Sequence, residues 1–407
     1  MKCRHCKNNL HIKFLDLGNA PPSNSYLKKE DLKKPEITYP LRIMVCENCW
    51  LVQTEDYADA EELFNNDYAY FSSTSSSWLN HAYNYCETIS QKLKLSKDSF
   101  VVELASNDGY LLRNFVKLGI PCLGIEPTKK TAQVSRDLGV DVKEIFFSKN
   151  VALKLVAEGR KADLIIGNNV YAHVPDINDF TEGVAELLKL NGVVTFEFPH
   201  LMELINNNQF DTVYHEHFSY LSLISVKSIF SKFGLKIFDV EPLVTHGGSL
   251  RVYGCLKNAS FKISDNVEKI IKDEIEMGLT NRNIYESFQL KADKIKDTFI
   301  QFLLNAKYDK KVVAGYGAAA KGNTLINYAG IKRDMINFVC DAADSKIGKY
   351  LPGSHIPILD PRVLESTHID YLIIFPWNIS DEIIQQNKTL SGSGTKFVTI
   401  IPELKFM

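Results

Sequence analysis

The sequence predicts an α/β protein that combines a small zinc-binding N-terminal module with two Rossmann-like domains. Three observations predict this fold class. Two Cys-x-x-Cys pairs occur early in the chain, at residues 3–6 and 46–49. From residue 99, short β-rich runs alternate with helical stretches, a pattern typical of parallel, doubly wound sheets. A second series of β-rich and helical runs begins at residue 311, after a charged helical stretch.

The individual elements follow from local composition. Runs rich in Val, Ile and Phe between turn-forming residues predict strands, and Lys, Glu and Ile at helical spacing predict helices. In chain order, the predicted strands are residues 41–45, 100–104, 122–126, 164–167, 192–198, 311–317, 336–341, 371–375 and 397–401. The clearest predicted helices are residues 111–116 and a connecting helix or helical pair at 265–305.

Length and composition agree with several folded domains. The chain has 407 residues, whereas single hydrophobic cores stop growing near ~250–300 residues. Apolar residues make up 45% and charged residues 24% of the chain, as in globular proteins. We therefore predict three domains, at residues 1–70, 71–260 and 261–407.

Charge and hydropathy exclude several classes of function. The formal net charge is −2, without a broad basic surface of the kind that binds nucleic acid. No apolar run approaches the ~18 residues of a membrane span, and the N-terminus shows no signal segment. We expect a cytoplasmic monomer that binds neither nucleic acid nor a membrane.

The two cysteine pairs predict a structural metal site. Cys3, Cys6, Cys46 and Cys49 can supply four thiolates, the preferred tetrahedral ligand set for structural Zn²⁺. Unrelated cysteines are the alternative, and a redox pair is disfavoured because neither pair opens a βαβ pattern. A site saturated by four thiolates leaves no position for a substrate, so we expect a structural role for the metal.

A turn rich in small residues predicts a methyl-donor site. Residues 103–109 follow the first strand of the second domain and carry Glu103 and Asp108. These negative charges would repel a pyrophosphate and attract a cation such as the sulfonium of S-adenosylmethionine (SAM). Glu126 ends the next strand, where a carboxylate can accept ribose hydroxyls, although a solvated strand-end Glu is the alternative. We assign to the cofactor Glu103, Ala105, Asn107, Asp108, Gly109, Glu126, Pro127, Asn168 and Asn169.

A cluster of titratable residues predicts a site of proton transfer. Residues 214–217 read Tyr-His-Glu-His, and His173 follows the carboxyl end of another strand, where α/β folds place ligands. Each histidine could instead be a structural hydrogen-bonding residue. His215 and His217 could also bind a metal, but their spacing brings both to one face only in a strand.

These segments resemble, over essentially the full length, the SAM-dependent sugar C-methyltransferases of branched deoxysugar biosynthesis. That group includes C-3 methyltransferases of tetronitrose and mycarose type. Besides the two cysteine pairs, the matching segments are residues 68–73, 103–112, 169–176, 196–200, 214–220, 246–251 and 315–323.

The resemblance implies a zinc-binding domain, a SAM-binding domain and a C-terminal Rossmann-like domain that helps to hold a sugar nucleotide. It implies that His217 is the general base and that Tyr68, His173, Tyr214 and Glu216 line the sugar pocket. In the matching segments and beside them, we assign substrate binding to Tyr70, His200, His246, Arg251, Gly317, Lys321 and Asn323.

The implied substrate is a nucleotide-linked 4-keto-deoxysugar, whose ketone makes the C-3 hydrogen removable as an enolate. A histidine is about ten pKa units too weak for this, or about 14 kcal/mol. Each oxyanion donor supplies about 3–4 kcal/mol. We expect His217 to remove the proton while Tyr214 and His173 stabilise the enolate. Glu216 either orients His217 or binds a sugar hydroxyl. Methylation at C-5 or on oxygen is the alternative.

The last domain leaves further alternatives open. Residues 315–320 have the G-x-G-x-x-A form of a dinucleotide-binding loop, and Asp341 stands near the position of its acidic partner. An NAD-dependent nucleotide-sugar dehydrogenase or epimerase is therefore a rival function. The resemblance favours a sugar-nucleotide site in which Lys321 meets a phosphate, and simple packing is a third possibility. A zinc-ribbon adaptor without catalytic activity is opposed by residues 214–217.

Overall fold

The computed structural model describes residues 1–57, 71–392 and 394–407 and shows an α/β protein with three sheets. In these ranges no helix has both the length and the apolar character that are needed to cross a membrane.

The N-terminal module is a small antiparallel sheet. Its own strands are β1 (Ile12–Ala20), β2 (Tyr39–Val45) and β3 (Val52–Thr54). A fourth strand, β9 (Ser219–Tyr220), comes from the middle of the chain and pairs with β3. The module is therefore completed by a strand that begins two residues after His217.

The second part contains a seven-stranded sheet. Its strands are β4 (Val101–Leu104), β5 (Cys122–Ile125), β6 (Asp141–Lys143), β7 (Ala162–Asn168), β8 (Leu188–Pro199), β10 (Leu235–Leu243) and β11 (Ser249–Leu256). Its helices are α1 (Ser76–Leu93), α2 (Leu112–Lys117), α3 (Lys129–Asp137), α4 (Lys149–Ala157), α5 (Ile177–Leu187), α6 (Leu201–Asn206) and α7 (Leu223–Lys232).

The order of this sheet is β10-β11-β8-β7-β4-β5-β6. The five strands from β8 to β6 are parallel, and β11 and β10 extend the sheet in antiparallel pairings. The carboxyl ends of β4, β5 and β7 therefore meet at one edge, where parallel α/β sheets bind their ligands.

The C-terminal part contains a six-stranded sheet. It corresponds to the second series of β-rich and helical runs in the sequence. Its strands are β12 (Val313–Tyr316), β13 (Val339–Cys340), β14 (Ile358–Leu359), β15 (Tyr371–Ile374), β16 (Lys396–Thr399) and β17 (Lys405–Phe406). Their order is β14-β13-β12-β15-β16-β17, and only the last pairing is antiparallel. The helices of this part are α11 (Ala320–Tyr328), α12 (Ser380–Gln386) and α13 (Lys388–Gly392).

The helical stretch before this sheet is more than a connector. It forms α8 (Asp265–Met277), α9 (Arg282–Glu286) and α10 (Phe288–Tyr308). Phe14 of β1 stacks on Phe288 with ring centroids 4.7 Å apart, and both rings are almost fully buried. The same hydrophobic core continues to Ile373 in β15. The N-terminal and C-terminal sheets therefore share one core.

The four predicted metal ligands come together beside the N-terminal sheet. The sulfur atoms of Cys3 and Cys49 are 3.6 Å apart and those of Cys6 and Cys46 are 3.3 Å apart. All four lie within 4.8 Å of one another. A tetrahedron of sulfurs at about 2.3 Å from Zn²⁺ has edges near 3.8 Å. The donor set and its spacing therefore fit structural zinc.

Replacing one of these cysteines tests the metal site. We expect Cys46→Ser to lose zinc and to lower the melting temperature by ~10 °C or more, because folding and metal binding are coupled in such modules. Zinc is measured by plasma mass spectrometry. The control is Cys122→Ser, since Cys122 lies outside the cluster. Full zinc retention in Cys46→Ser would contradict this assignment.

Candidate active site

The turn after β4 has the backbone conformation of a ligand-binding loop. Ala105, Asn107 and Gly109 adopt positive φ angles of 51°, 49° and 77°. A Cβ atom at Gly109 would lie 2.6 Å from the hydroxyl of Ser135 in α3, so this close approach requires glycine. The turn keeps Glu103 and Asp108 buried at the carboxyl edge of the sheet.

Several buried polar atoms around this turn have no partner among the described residues. They are Glu103 Oε2, Ser106 Oγ, Asp108 Oδ1, both amide atoms of Asn168 and Asn169 Oδ1. Such atoms are costly to bury and indicate a polar ligand between them. Burial, followed by the charges of Asp108 and Glu126, raises the pKa of Glu103 well above its usual value. A cationic ligand would relieve this repulsion, so these carboxylates and the unpartnered polar atoms around them fit SAM.

Glu126 is held rigidly at the end of β5. Its Oε2 accepts the amide N–H of Asn107 at 2.9 Å, and its Oε1 accepts the amide of Thr128 at 2.9 Å. Pro127 lies between Glu126 and Thr128 and has no N–H to offer. The hydroxyl of Thr131 donates to the same Oε1 at 3.0 Å. The carboxylate is therefore oriented in advance for a ligand at the turn.

The residues before and within α1 cover the turn. The amides of Ser72 and Ser73 donate to the side chains of Asn107 and Asp108, each at 3.0 Å. Trp78 in α1 stacks on the ring of Tyr110 at a centroid distance of 6.0 Å, which the sequence did not predict. The predicted pocket residues Tyr68 and Tyr70 lie outside the described residues.

His217 is buried, and its hydrogen bond defines its tautomer. Its Nδ1 lies 2.9 Å from the carbonyl oxygen of Thr212. Because a carbonyl oxygen can only accept, Nδ1 carries the proton and Nε2 of the neutral ring keeps its lone pair. Burial, followed by the proximity of the His173 imidazole, lowers the pKa of His217 well below its usual value. The ring is therefore a neutral proton acceptor.

His173 and Tyr214 flank this ring. The centroid of His173 lies 4.6 Å and that of Tyr214 4.0 Å from the centroid of His217. His173 Nδ1 donates to the carbonyl of Glu216 at 2.8 Å, and burial lowers the pKa of His173 to about 4. Its Nε2 is thus an acceptor, which contradicts the expectation that His173 donates to an enolate. A tyrosine hydroxyl such as that of Tyr214 is a hydrogen-bond donor of the kind that an enolate requires.

The two remaining residues of the Tyr-His-Glu-His segment point to different neighbours. Glu216 Oε2 accepts the side-chain amide of Asn24 at 3.0 Å, and burial raises the pKa of Glu216 to about 7. Thr212, and not Glu216, orients His217. His215 lies against the carbonyl of Tyr39 at 3.3 Å, on the side of the N-terminal sheet.

Among the described residues, His215 and His217 do not belong to any group of three potential metal ligands. Within residues 1–57, 71–392 and 394–407, the four cysteines are the one group of three or more potential metal ligands.

His246 lies between the donor turn and the histidine pair. Asn169 Nδ2 donates to His246 Nε2 at 3.0 Å, and both residues adopt a φ of 54°. The edge of His246 meets Trp78 with centroids 5.1 Å apart, and burial lowers the pKa of His246 to about 4. A strained backbone held by partners is common at functional sites.

Lys321, at the start of α11, faces the same region. Its Nζ donates to Asn378 Oδ1 at 2.8 Å and lies 4.3 Å from the ring centroid of Trp377. Burial lowers the pKa of Lys321 to about 8. The indole N–H of Trp377 donates to Asp211 at 2.7 Å, and burial raises the pKa of Asp211 to about 6.

The G-x-G-x-x-A loop is closely packed against its own domain. A Cβ atom at Gly317, where φ is 88°, would lie 2.4 Å from Pro376 Cδ. Asp341 accepts the ammonium group of Lys346 at 3.2 Å. These contacts give the glycine and the acidic residue structural partners, which disfavours a dinucleotide at this loop. Asn323 donates to the carbonyl of Ser23 at 2.6 Å.

Two predicted substrate ligands have protein partners. Arg251 pairs with Glu197 at 2.7 Å and with Glu241 at 3.0 Å. His200 pairs with Glu274 of α8 at 2.7 Å, and both residues are buried. A structural role accounts for both, and their contact with substrate stays a prediction.

Residues 21–26 also belong to this site, although the sequence did not predict this. Asn24 holds Glu216, and the hydroxyl of Tyr26 donates to the carbonyl of Ala318 at 2.6 Å. The sequence signal at residues 21–24 is the run Pro-Pro-Ser-Asn, which is typical of a turn and does not mark a ligand site. No local signal marked Trp377.

Three family models match the chain. A zinc binding domain matches residues 3–64, a methyltransferase domain matches residues 77–240, and a C-methyltransferase C-terminal domain matches residues 244–402.

The chain is also similar to individual proteins. The C-methyltransferase NovU of Streptomyces niveus is 32% identical over 402 residues, covering 99% of this chain and 96% of NovU. The ubiquinone biosynthesis O-methyltransferase of Bartonella quintana is 26% identical over 100 residues, or 23% of this chain and 38% of that protein. The crystal structure of PH0226 from Pyrococcus horikoshii covers 50% of this chain and 100% of its own, at 16% identity and a TM-score of 0.38. The full-length match shows that this SAM-dependent enzyme with a four-cysteine zinc-binding site belongs to the C-methyltransferase family.

Proposed function

We propose that the enzyme methylates a nucleotide-linked 4-keto-deoxysugar at a carbon next to the ketone, with C-3 as the expected position. One observation carries this proposal: His217 is a buried neutral base with an unprotonated Nε2, beside Tyr214. The carbon next to the ketone becomes a nucleophile only after it loses a proton, so its methylation requires a base. Methylation of an alcohol oxygen depends less on a base, because the oxygen already has a lone pair.

In this mechanism His217 Nε2 accepts the proton from the carbon next to the ketone. The Thr212 carbonyl holds the ring in place and stabilises the imidazolium that forms. Tyr214 donates to the developing enolate oxygen, which is worth about 3–4 kcal/mol for one well-placed donor. When bound at the turn of residues 103–109, SAM supplies the electrophilic methyl group.

His173 and Glu216 bind and orient the sugar in this proposal. His173 Nε2, an acceptor, suits a sugar hydroxyl. Glu216, whose pKa is about 7, can accept from a hydroxyl when ionised or donate when protonated. Glu216 is buried and His173 is partly buried, which limits the access of water to the carbanion.

The nucleotide lies, in this proposal, against the C-terminal part. The N-terminus of α11 favours anions, and Lys321 adds a positive charge there. Gly317 and Asn323 belong to the same loop and helix. In this proposal, residues 1–70 form the zinc-binding domain, residues 71–260 the domain that binds the methyl donor, and residues 261–407 the domain that binds the sugar nucleotide.

Substitution of His217 tests the base. We expect His217→Asn to lower methyl transfer by ~100-fold to 10,000-fold, the usual contribution of a general base, with little change in SAM affinity. The assay incubates dTDP-, GDP- and CDP-linked 4-keto-6-deoxyhexoses with SAM in deuterated water and follows both methylation and deuterium uptake by mass spectrometry. The control is His215→Asn, because His215 is a buried histidine that faces Tyr39.

The products of the wild-type enzyme decide the chemistry. A new methyl group at C-3 of the product, with deuterium at C-3 of the recovered substrate, supports the proposal as stated, whereas both signals at C-5 would move the reaction to the other side of the ketone. Methylation on oxygen, or of sugars without a ketone, would overturn it. Normal turnover of His217→Asn would remove His217 from the mechanism.

The titration of Lys321 predicts a pH dependence. The ammonium form attracts phosphate and is present below pH 8, so kcat/KM for the sugar nucleotide should fall as the pH rises through about 8. Lys321→Arg should remove this fall because guanidinium stays charged, and Lys321→Met should lower kcat/KM ~10-fold at pH 7. Lys311→Met is the control, since Lys311 pairs with Asp370 on the surface. An unchanged profile in Lys321→Arg would contradict the assignment.

A further inference from the structure

Arg4 lies between two zinc ligands, yet its side chain reaches away from the metal into the catalytic region. The guanidinium is only 6% exposed. Arginine is almost never buried unless it is paired, so its partners define its role. Nη1 donates to the carbonyl of Pro175 at 2.7 Å. Nη2 donates to the carbonyl of Thr54 at 3.1 Å and to Asp56 at 2.7 Å.

The first contact holds the loop that carries His173. Pro175 follows His173 by two residues and precedes α5. From α5, Asn178 Nδ2 donates back to the carbonyl of Arg4 at 3.1 Å. The zinc knuckle is the turn of residues 3–6. Its backbone and the side chain of Arg4 therefore both hold the loop that carries His173.

The other contacts hold the segment that carries His217. The guanidinium carbon lies 5.4 Å from the ring centroid of Phe218, the residue after His217. Thr54, whose carbonyl Arg4 binds, donates its hydroxyl to the carbonyl of His217 and its amide to the carbonyl of Phe218. Arg4 thus lies at the point where both histidine-bearing segments meet.

We propose that Arg4 is a positioning residue that sets the separation of His173 and His217 and so couples the zinc knuckle to proton abstraction. This inference rests on the proposed function of His217. The two rings are oriented by backbone carbonyls of Thr212 and Glu216, so any shift of the segments moves the rings. A displacement near 1 Å can cost about 100-fold in rate.

This role is separate from holding the metal. A guanidinium stays protonated and has no lone pair to give a metal ion, so Arg4 is not a zinc ligand. Nor does it touch the donor turn at residues 103–109. Loss of Arg4 should therefore change catalysis while zinc content and SAM affinity persist.

The test uses Arg4→Gln and Arg4→Lys in the full-length, zinc-loaded enzyme with the fastest sugar nucleotide of the panel. We expect Arg4→Gln to lower kcat for deuterium uptake and for methylation together by ~100-fold, with SAM Kd and zinc content unchanged. Lysine keeps the positive charge but lacks the planar guanidinium group that donates to several acceptors at once. We therefore expect Arg4→Lys to reach about a tenth of the wild-type kcat.

Arg160→Gln is the matched control. Arg160 pairs with Asp141 at 2.9 Å and lies 4.9 Å from the ring centroid of Phe100, so it repeats the carboxylate and aromatic contacts of Arg4 away from the histidines. Its kcat should stay within about twofold of wild type, as for a surface ion pair.

Amide hydrogen exchange gives a readout that does not need turnover. In Arg4→Gln, faster exchange should appear at residues 173–178 and 213–220, whereas Arg160→Gln should leave both segments unchanged.

The outcomes separate this inference from the proposed function. Loss of zinc in proportion to activity would make Arg4 a scaffold of the metal module and overturn the proposal. Normal kcat in Arg4→Gln, with His217→Asn inactive, would overturn it and leave the proposed function standing. If His217→Asn were active, the proposed function would fail and amide exchange alone would decide: unchanged exchange at both segments overturns the role of Arg4.

Discussion

The hydrogen bond from His217 to the carbonyl of Thr212 depends on a short segment, residues 211–220, on which all three parts of the chain converge. From the N-terminal module, Thr54 binds the carbonyl of His217 and β3 pairs with β9. From the C-terminal part, the hydroxyl of Thr324 donates to the carbonyl of Val213 at 2.8 Å. Trp377 binds Asp211 at the start of the segment. The seven-stranded sheet supplies the segment but does not determine its conformation alone.

This arrangement changes what the three predicted domains mean. The N-terminal sheet takes its last strand from the middle of the chain, and its core is continuous with that of the C-terminal sheet through α9 and α10. Removing either terminal part would expose apolar surface and leave the carbonyls around Val213 and His217 without donors. The three parts can be distinguished in the sequence. Residues 211–220, however, take their conformation from contacts with all three parts.

Sequence patterns predicted what local composition encodes. The strands β4 and β7 follow from runs of Val, Leu and Ile, and the cysteine spacing predicted the metal cluster. Contacts between residues that are far apart in the sequence could not be predicted from it. The strand β9 has two residues and no pattern of its own, and the tautomer of His173 depends on a carbonyl 43 residues away. His200 and Arg251 look like ligands in sequence because the acids that pair with them, Glu274 and Glu197, are revealed only by folding.

The low pKa of His217 is compatible with a base because proton transfer creates two charges together. In the resting site, burial keeps His173, His217 and His246 neutral. An enolate formed about 4 Å from the imidazolium attracts it by about 4 kcal/mol at an effective dielectric constant near 20. For a histidine of ordinary pKa, adding about 3–4 kcal/mol from a Tyr214 hydrogen bond would reduce the gap of about 14 kcal/mol to about 6–7, and the lowered pKa of His217 widens this gap. That balance holds only if the ring and the enolate meet at close range. In the proposed mechanism, the spacing of the histidine segments therefore matters more for proton removal from carbon than the intrinsic basicity of either ring.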